Sequence, residues 1–111
     1  MLTEKVTYTF RNMALWTVIA DYRGGTYISQ VRAISALQAI IVWSKSLPNV
    51  RGSFLGARTK LKIAAAASDE QEKPVPIEKT RNVWYWNPLS LRPAMVVHLV
   101  KTSEDRQAKL S

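Results

Sequence analysis

Two runs of alternating apolar and polar residues near the start of the chain predict a β-hairpin. They span residues 14–22 and 26–34, and both are rich in β-branched and aromatic side chains. The pair Gly24-Gly25 lies between them and can supply the positive φ angles that a tight loop requires. We expect Tyr22 to face Tyr27 across this loop, so that every second residue before Tyr22 belongs to an apolar set facing the core.

A helix is predicted directly after the hairpin, over residues 36–47. Ser35 and Gln38 have the S-x-x-Q spacing of a capping box, in which two side chains bind free backbone N–H groups. Pro48 ends the segment, because a residue that precedes proline avoids the helical conformation. The predicted core-facing stripe consists of Leu37, Ile40, Ile41 and Leu47, with Trp43 at its edge.

The pattern over residues 55–72 leaves two alternatives open. The alanine run 64–67 and the polar residues after it favour a helix by propensity. Local alternation over residues 60–63 favours a strand. We favour a second helix, whose acidic C-terminal end should fray because carboxylates oppose the helix dipole there.

A second hairpin is predicted from residues 82–87 and 94–102. The latter run is apolar at successive positions, which is typical of a central strand that is buried on both faces. Residues 74–76, with two prolines, are expected to be extended but outside the sheet. The predicted fold class is therefore α+β, with an antiparallel four-stranded sheet in the order hairpin, one or two helices, hairpin, and with the helices packed on one face.

The chain of 111 residues has room for one domain, which we assign to residues 13–102. Residues 1–12 are interpreted either as an extra strand or as a flexible extension. Residues 103–111 are polar, and we expect a disordered tail.

Charge is the one unusual property of the composition. Sixteen Lys and Arg residues oppose eight Asp and Glu residues, which gives a net charge of +8. No acidic residue lies between Asp21 and Asp69, and a long basic segment of this kind attracts polyanions. The alternative is that these charges only solubilise a small surface. The candidate polyanion-binding residues are Lys45, Arg51, Arg58, Lys60 and Lys62.

The sequence offers little support for catalysis. There is no cysteine, which excludes disulfides, thiol chemistry and cysteine-ligated metals. His98 is the single histidine, and no acid adjacent in sequence is available to orient it as a general base. We therefore expect neither an enzyme nor a cofactor or metal site. No apolar run is long enough to cross a membrane and no signal peptide is evident, so we expect a cytoplasmic protein.

The aromatic residues of the second hairpin allow several interpretations. Trp84 and Trp86 share one face of a strand, where they could be core residues, anchors for a protein partner, or platforms that stack nucleic-acid bases. A single layer of helices leaves the other sheet face open, and exposed apolar area of that kind usually marks an interaction surface. The candidate interface residues are Ile19, Ile28, Trp84, Trp86 and His98.

The function expected from these features is a small binding or regulatory module without enzymatic activity. We expect it to form a homo-oligomer, or to bind a protein partner, through the open sheet face. The alternative is a nucleic-acid-binding protein that uses the basic segment 23–62.

Overall fold

A computed structural model describes residues 13–47 and 57–104 of the chain. They form one five-stranded antiparallel sheet, in the order β2-β1-β5-β4-β3, and two helices. The α+β class is confirmed, whereas the predicted count of four strands is wrong. The elements are β1 (Ala14–Tyr22), β2 (Gly25–Ala33), α1 (Ala36–Ser46), α2 (Ala57–Ala67), β3 (Val75–Pro76), β4 (Val83–Trp86) and β5 (Met95–Glu104).

The additional strand is the proline-flanked segment that we expected to lie outside the sheet. Val75 is paired with Tyr85 and Pro76 with Trp84, so β3 extends the sheet beyond β4. An edge strand needs hydrogen bonds on one side only, and a proline without an N–H group is tolerated there. The prediction of extended backbone was right, and the prediction that it avoids the sheet was wrong.

The register of the first hairpin differs from the expected one by two residues. Tyr22 pairs with Gly25, not with Tyr27, and the loop consists of Arg23 and Gly24. Both loop residues have positive φ, at 51° and 80°. Because side chains alternate with a period of two, a shift of two residues leaves every side chain on its predicted face. The alternate residues of β1 from Ala14 to Tyr22 are accordingly buried.

Helix α1 begins with the predicted capping interactions. The backbone N–H of Gln38 donates to Ser35 Oγ (3.1 Å), and the Gln38 side chain accepts from the backbone N–H of Ile34 (2.7 Å). Leu47 is extended, as expected for a residue before Pro48.

The buried stripe of α1 differs from the predicted one. Leu37 is exposed, and Trp43, which we placed at the edge of the stripe, is buried. The helix packs on β2 and β5, and its buried side includes Ala36 and Ala39 but not Leu37. The buried positions are Ala36, Ala39, Ile40, Trp43, Ser44 and Leu47.

The segment from 57 onward is helical, so the strand alternative is wrong over residues 60–63. Helix α2 packs against α1 and ends at Ala67, earlier than the predicted residue 72. Beyond it, Asp69 Oδ1 accepts from the backbone N–H of Gln71 (2.9 Å) and forms a turn. The acidic residues thus lie outside the helix, whose dipole they would oppose.

The two ends of the chain and the segment 48–56 lie outside the described residues. The interpretations of residues 1–12 and of residues 105–111 are therefore not addressed by the structure. Ser103 and Glu104 belong to β5, so the first two residues of the expected tail are part of the sheet. The position of β5 between β1 and β4 confirms the prediction of a central strand.

Candidate functional site

One row of side chains crosses all five strands on the face of the sheet opposite the helices, which we call the open face. Ile28 pairs with Ile19, Ile19 with His98, His98 with Tyr85, and Tyr85 with Val75. Ile28 is 67% exposed, Tyr85 and Val75 are also exposed, and the two central residues are half-buried. The sheet therefore presents a continuous, largely apolar stripe to solvent.

The neighbouring row of the open face is more polar. It runs from Gln30 through Thr17 and Val100 to Val83. The Gln30 amide donates to Thr17 Oγ1 (3.0 Å), and the hydroxyl groups of Thr17 and Thr102 are hydrogen-bonded to each other. Through these hydrogen bonds, the polar side chains of this row find partners within the sheet, beside the stripe.

The open face of the first hairpin carries one acid and one base, at opposite ends. Asp21 pairs with Thr26 beside the loop, and the Thr26 hydroxyl donates to Asp21 Oδ1 (2.6 Å). Arg32 pairs with Leu15 at the far end. The open face of this hairpin is therefore neutral overall, in a chain whose net charge is +8.

The structure places both candidate tryptophans on the face of the sheet that the helices pack against, which we call the covered face. Trp86 is 1% exposed and its indole N–H donates to the backbone carbonyl of Glu72 (2.6 Å). Trp84 is half-buried, and its ring contacts that of Trp16. Ile19, Ile28 and His98 thus lie together on the open face, and the two tryptophans lie on its reverse side.

Two residues of the stripe were missed by the sequence analysis. Tyr85 alternates with the two tryptophans, and this alone places it on the opposite face. Val75 could not be found, because its segment was not expected to join the sheet.

His98 has no acidic neighbour across the strands, since its register partners are Ile19 and Tyr85. Within residues 13–47 and 57–104, no three His, Asp or Glu side chains are grouped so that they could hold a metal ion. His98 therefore lies between Ile19 and Tyr85 as one member of the stripe on the open face.

The four candidate basic residues that the structure describes lie on the helices. Lys45 is exposed in the last turn of α1, and Arg58 and Lys62 are exposed one turn apart on α2. Lys60 is half-buried, and Arg51 falls outside the described residues. Neither α1 nor α2 contains an acidic residue.

No protein-family model, no curated protein and no solved structure matches this chain. In the part of the chain that the structure describes, no helix is long and apolar enough to span a membrane.

Proposed function

We propose that the protein is a non-enzymatic binding module that self-associates through the open face of its sheet. The observation that carries this proposal is the stripe that joins Ile28, Ile19, His98, Tyr85 and Val75 across the full width of the sheet. A largely apolar stripe that is accessible to solvent gains free energy when a second surface removes it from water.

The size of the open face suits a small dimer interface. Five strands spaced about 4.8 Å apart give a width of roughly 20 Å. The nine residues of β1, at about 3.3 Å each, give a length of roughly 30 Å. The resulting area of up to about 600 Å² lies near the lower end of stable interfaces, which bury about 600–1,000 Å² on each partner.

Charge also favours a second copy as the partner. A net charge of +8 opposes association, but the open face of the hairpin contains one acid and one base. A two-fold axis parallel to the stripe is perpendicular to the strands, so it reverses the strand direction of one copy relative to the other. The Asp21 end of one hairpin then lies over the Arg32 end of its partner, and the opposite charges attract.

The test compares Ile28→Glu with Leu61→Glu by sedimentation velocity from about 1 to 100 μM, the range in which a modest interface associates. Leu61 is a matched control because it is 71% exposed, close to the 67% of Ile28, but lies on α2. We expect the wild type and Leu61→Glu to dimerise and Ile28→Glu to stay monomeric, with the melting temperature that the wild type has at concentrations too low for dimerisation. A monomeric wild type at the highest concentration, or equal dissociation of both variants, would overturn the proposal.

A second candidate function is polyanion binding by the helices, and their acid-free composition favours it. Arg58 and Lys62 are exposed on one side of α2, and phosphate contacts by such residues release counterions, so affinity falls steeply with salt. We expect labelled single- or double-stranded oligonucleotides to bind at low salt, with weaker binding and a shallower salt dependence in the variant Arg58→Glu, Lys62→Glu.

The control for this experiment is Lys79→Glu, Arg81→Glu, which makes the same charge change at two exposed residues between β3 and β4. Absence of binding at low salt contradicts polyanion binding. Equal losses in the two double variants contradict the location on α2.

A further inference from the structure

A cleft of about 390 Å³ opens on the covered face of the sheet, beside the start of α1. Its walls are the first turn of α1, the segment before β3 and side chains from β1, β4 and β5. The cleft and the open face lie on opposite sides of the sheet, so a ligand here would not compete with a second copy of the chain.

The aromatic wall of the cleft is held in place by a buried neighbour. The Trp84 and Trp16 ring centroids are 5.0 Å apart, and the ring planes are inclined by 56°. Trp16 is buried and its indole N–H donates to the backbone carbonyl of Ala33 (3.0 Å). Trp84 is only half-buried although it projects from the covered face, so the helices leave part of it accessible at the cleft.

The cationic wall includes a lysine at an inward-facing position of the central strand. Alternate residues of β5 from Met95 through Val97 to Leu99 are completely buried in the core. Lys101 occupies the next position of this column, opposite Trp16. A lysine that only improves solubility would suit the outward-facing positions, whereas this one lies at the border of the core and lines the cleft.

Lys73 supplies a second cation from another wall of the cleft. The start of α1 lines it as well, and the capping interactions there engage the backbone N–H groups of Ile34 and Gln38. Lys73 and Lys101 are the charged side chains that line the cleft, and both are cationic.

We propose that this cleft binds a small molecule that combines a planar aromatic ring with a phosphate or carboxylate group. The ring lies against Trp84, and the anion pairs with Lys101 and Lys73. The volume of about 390 Å³ is within the range of about 300–1,000 Å³ that small-molecule sites occupy. Each half of such a molecule contacts only part of the cleft, so the whole molecule should bind more tightly than either half alone.

The probes are adenosine 5′-monophosphate and indole-3-acetate, which represent the phosphate and carboxylate forms of this chemistry. Adenosine and inorganic phosphate serve as the half-ligand controls. Binding is followed through the indole N–H signals in ¹H–¹⁵N spectra, with the Trp84 signal assigned from Trp84→Phe. We expect one or both anionic aromatic probes to shift the signals of Trp84 and Trp16.

Lys101→Gln should weaken binding about tenfold or more, because it removes a charge-assisted hydrogen bond. Lys79→Gln is the matched control, since Lys79 is exposed and does not line the cleft. The spectrum of each free variant verifies that it is folded. The proposal is overturned if neither probe shifts the indole signals at millimolar concentration. It is also overturned if adenosine or phosphate alone binds as well, or if both lysine variants lose affinity equally.

Discussion

Replacing Gly24 by alanine should destabilise the protein by about 1 kcal/mol, because the cost lies entirely in the backbone. Gly24 has φ of +80°, and a Cβ at this position would have no atom within 4 Å. A left-handed conformation costs a non-glycine residue about 1–2 kcal/mol. The alanine also restricts the unfolded chain, which stabilises the folded state by about 0.4–1 kcal/mol. The net loss of unfolding free energy is therefore about 1 kcal/mol.

The same substitution at Gly25 should change stability by less than about 0.5 kcal/mol. Gly25 belongs to β2 and does not have a left-handed φ. A Cβ here would lie 2.6 Å from the hydroxyl oxygen of Tyr27 and 2.9 Å from its nearest ring carbons. Those atoms are the far end of an edge-strand side chain that is 38% exposed, so the ring can turn aside.

Thermal unfolding followed by circular dichroism measures both effects. For 111 residues, 1 kcal/mol corresponds to about 4 °C in Tm. Gly24→Ala should therefore melt about 4 °C lower than the wild type, and Gly25→Ala within about 2 °C of it. All samples need one protein concentration, since self-association raises the apparent stability. Equal losses at the two positions, or a larger loss at Gly25, would refute the two-residue loop and the register that follows from it.

Three further substitutions test the turn, the core and the helix start. Arg23→Asn should raise Tm by about 2 °C, because asparagine tolerates the positive φ at this position better than arginine does. This gain exceeds the loss of the contact between the guanidinium and the Tyr22 ring, which is worth about 0.5 kcal/mol. A lower Tm would contradict the prediction. Trp86→Phe should cost about 2–3 kcal/mol in urea unfolding, because it leaves the Glu72 carbonyl unpaired and opens a void; a loss below about 1 kcal/mol would show that the indole hydrogen bond matters little. Ser35→Ala should cost about 1 kcal/mol, and Ser35→Asp should recover most of it, in the same assay; equal losses would argue against the cap.

The sequence is informative wherever a local pattern determines the outcome. Alternation placed the side chains of β1 on their faces, and Ser35 and Pro48 located both ends of α1 within one residue. The sequence determined the position of the hairpin loop less well, because either glycine could supply a positive φ. No local rule indicates that Arg23 adopts a positive φ as well. Rotation of α1 about its axis depends on the sheet beneath it, which explains why Leu37 was misplaced.

The surfaces of the protein were predictable only in part. Ile19, Ile28 and His98 could be grouped because hairpin alternation places them on one face, and Tyr85 could have joined them by the same reasoning. The cleft could not be predicted, since its residues come from five segments that are separated along the chain. The one local indication was Lys101, a charge at an inward position of a strand that is otherwise apolar.

Because β5 is the central strand and comes last in the chain, the sheet can be completed only late in synthesis. The β1–β2 hairpin is complete at Ala33, but the strand that joins it to β4 begins only at Met95. At about 5–20 residues per second, the ribosome needs roughly 3–12 s to add the intervening stretch of about 60 residues. During that interval the hairpin has one free edge where β5 belongs, and β4 has no neighbour but the two residues of β3. A nascent chain of this topology therefore exposes an unpaired strand edge for seconds, and an edge of that kind can pair with another chain.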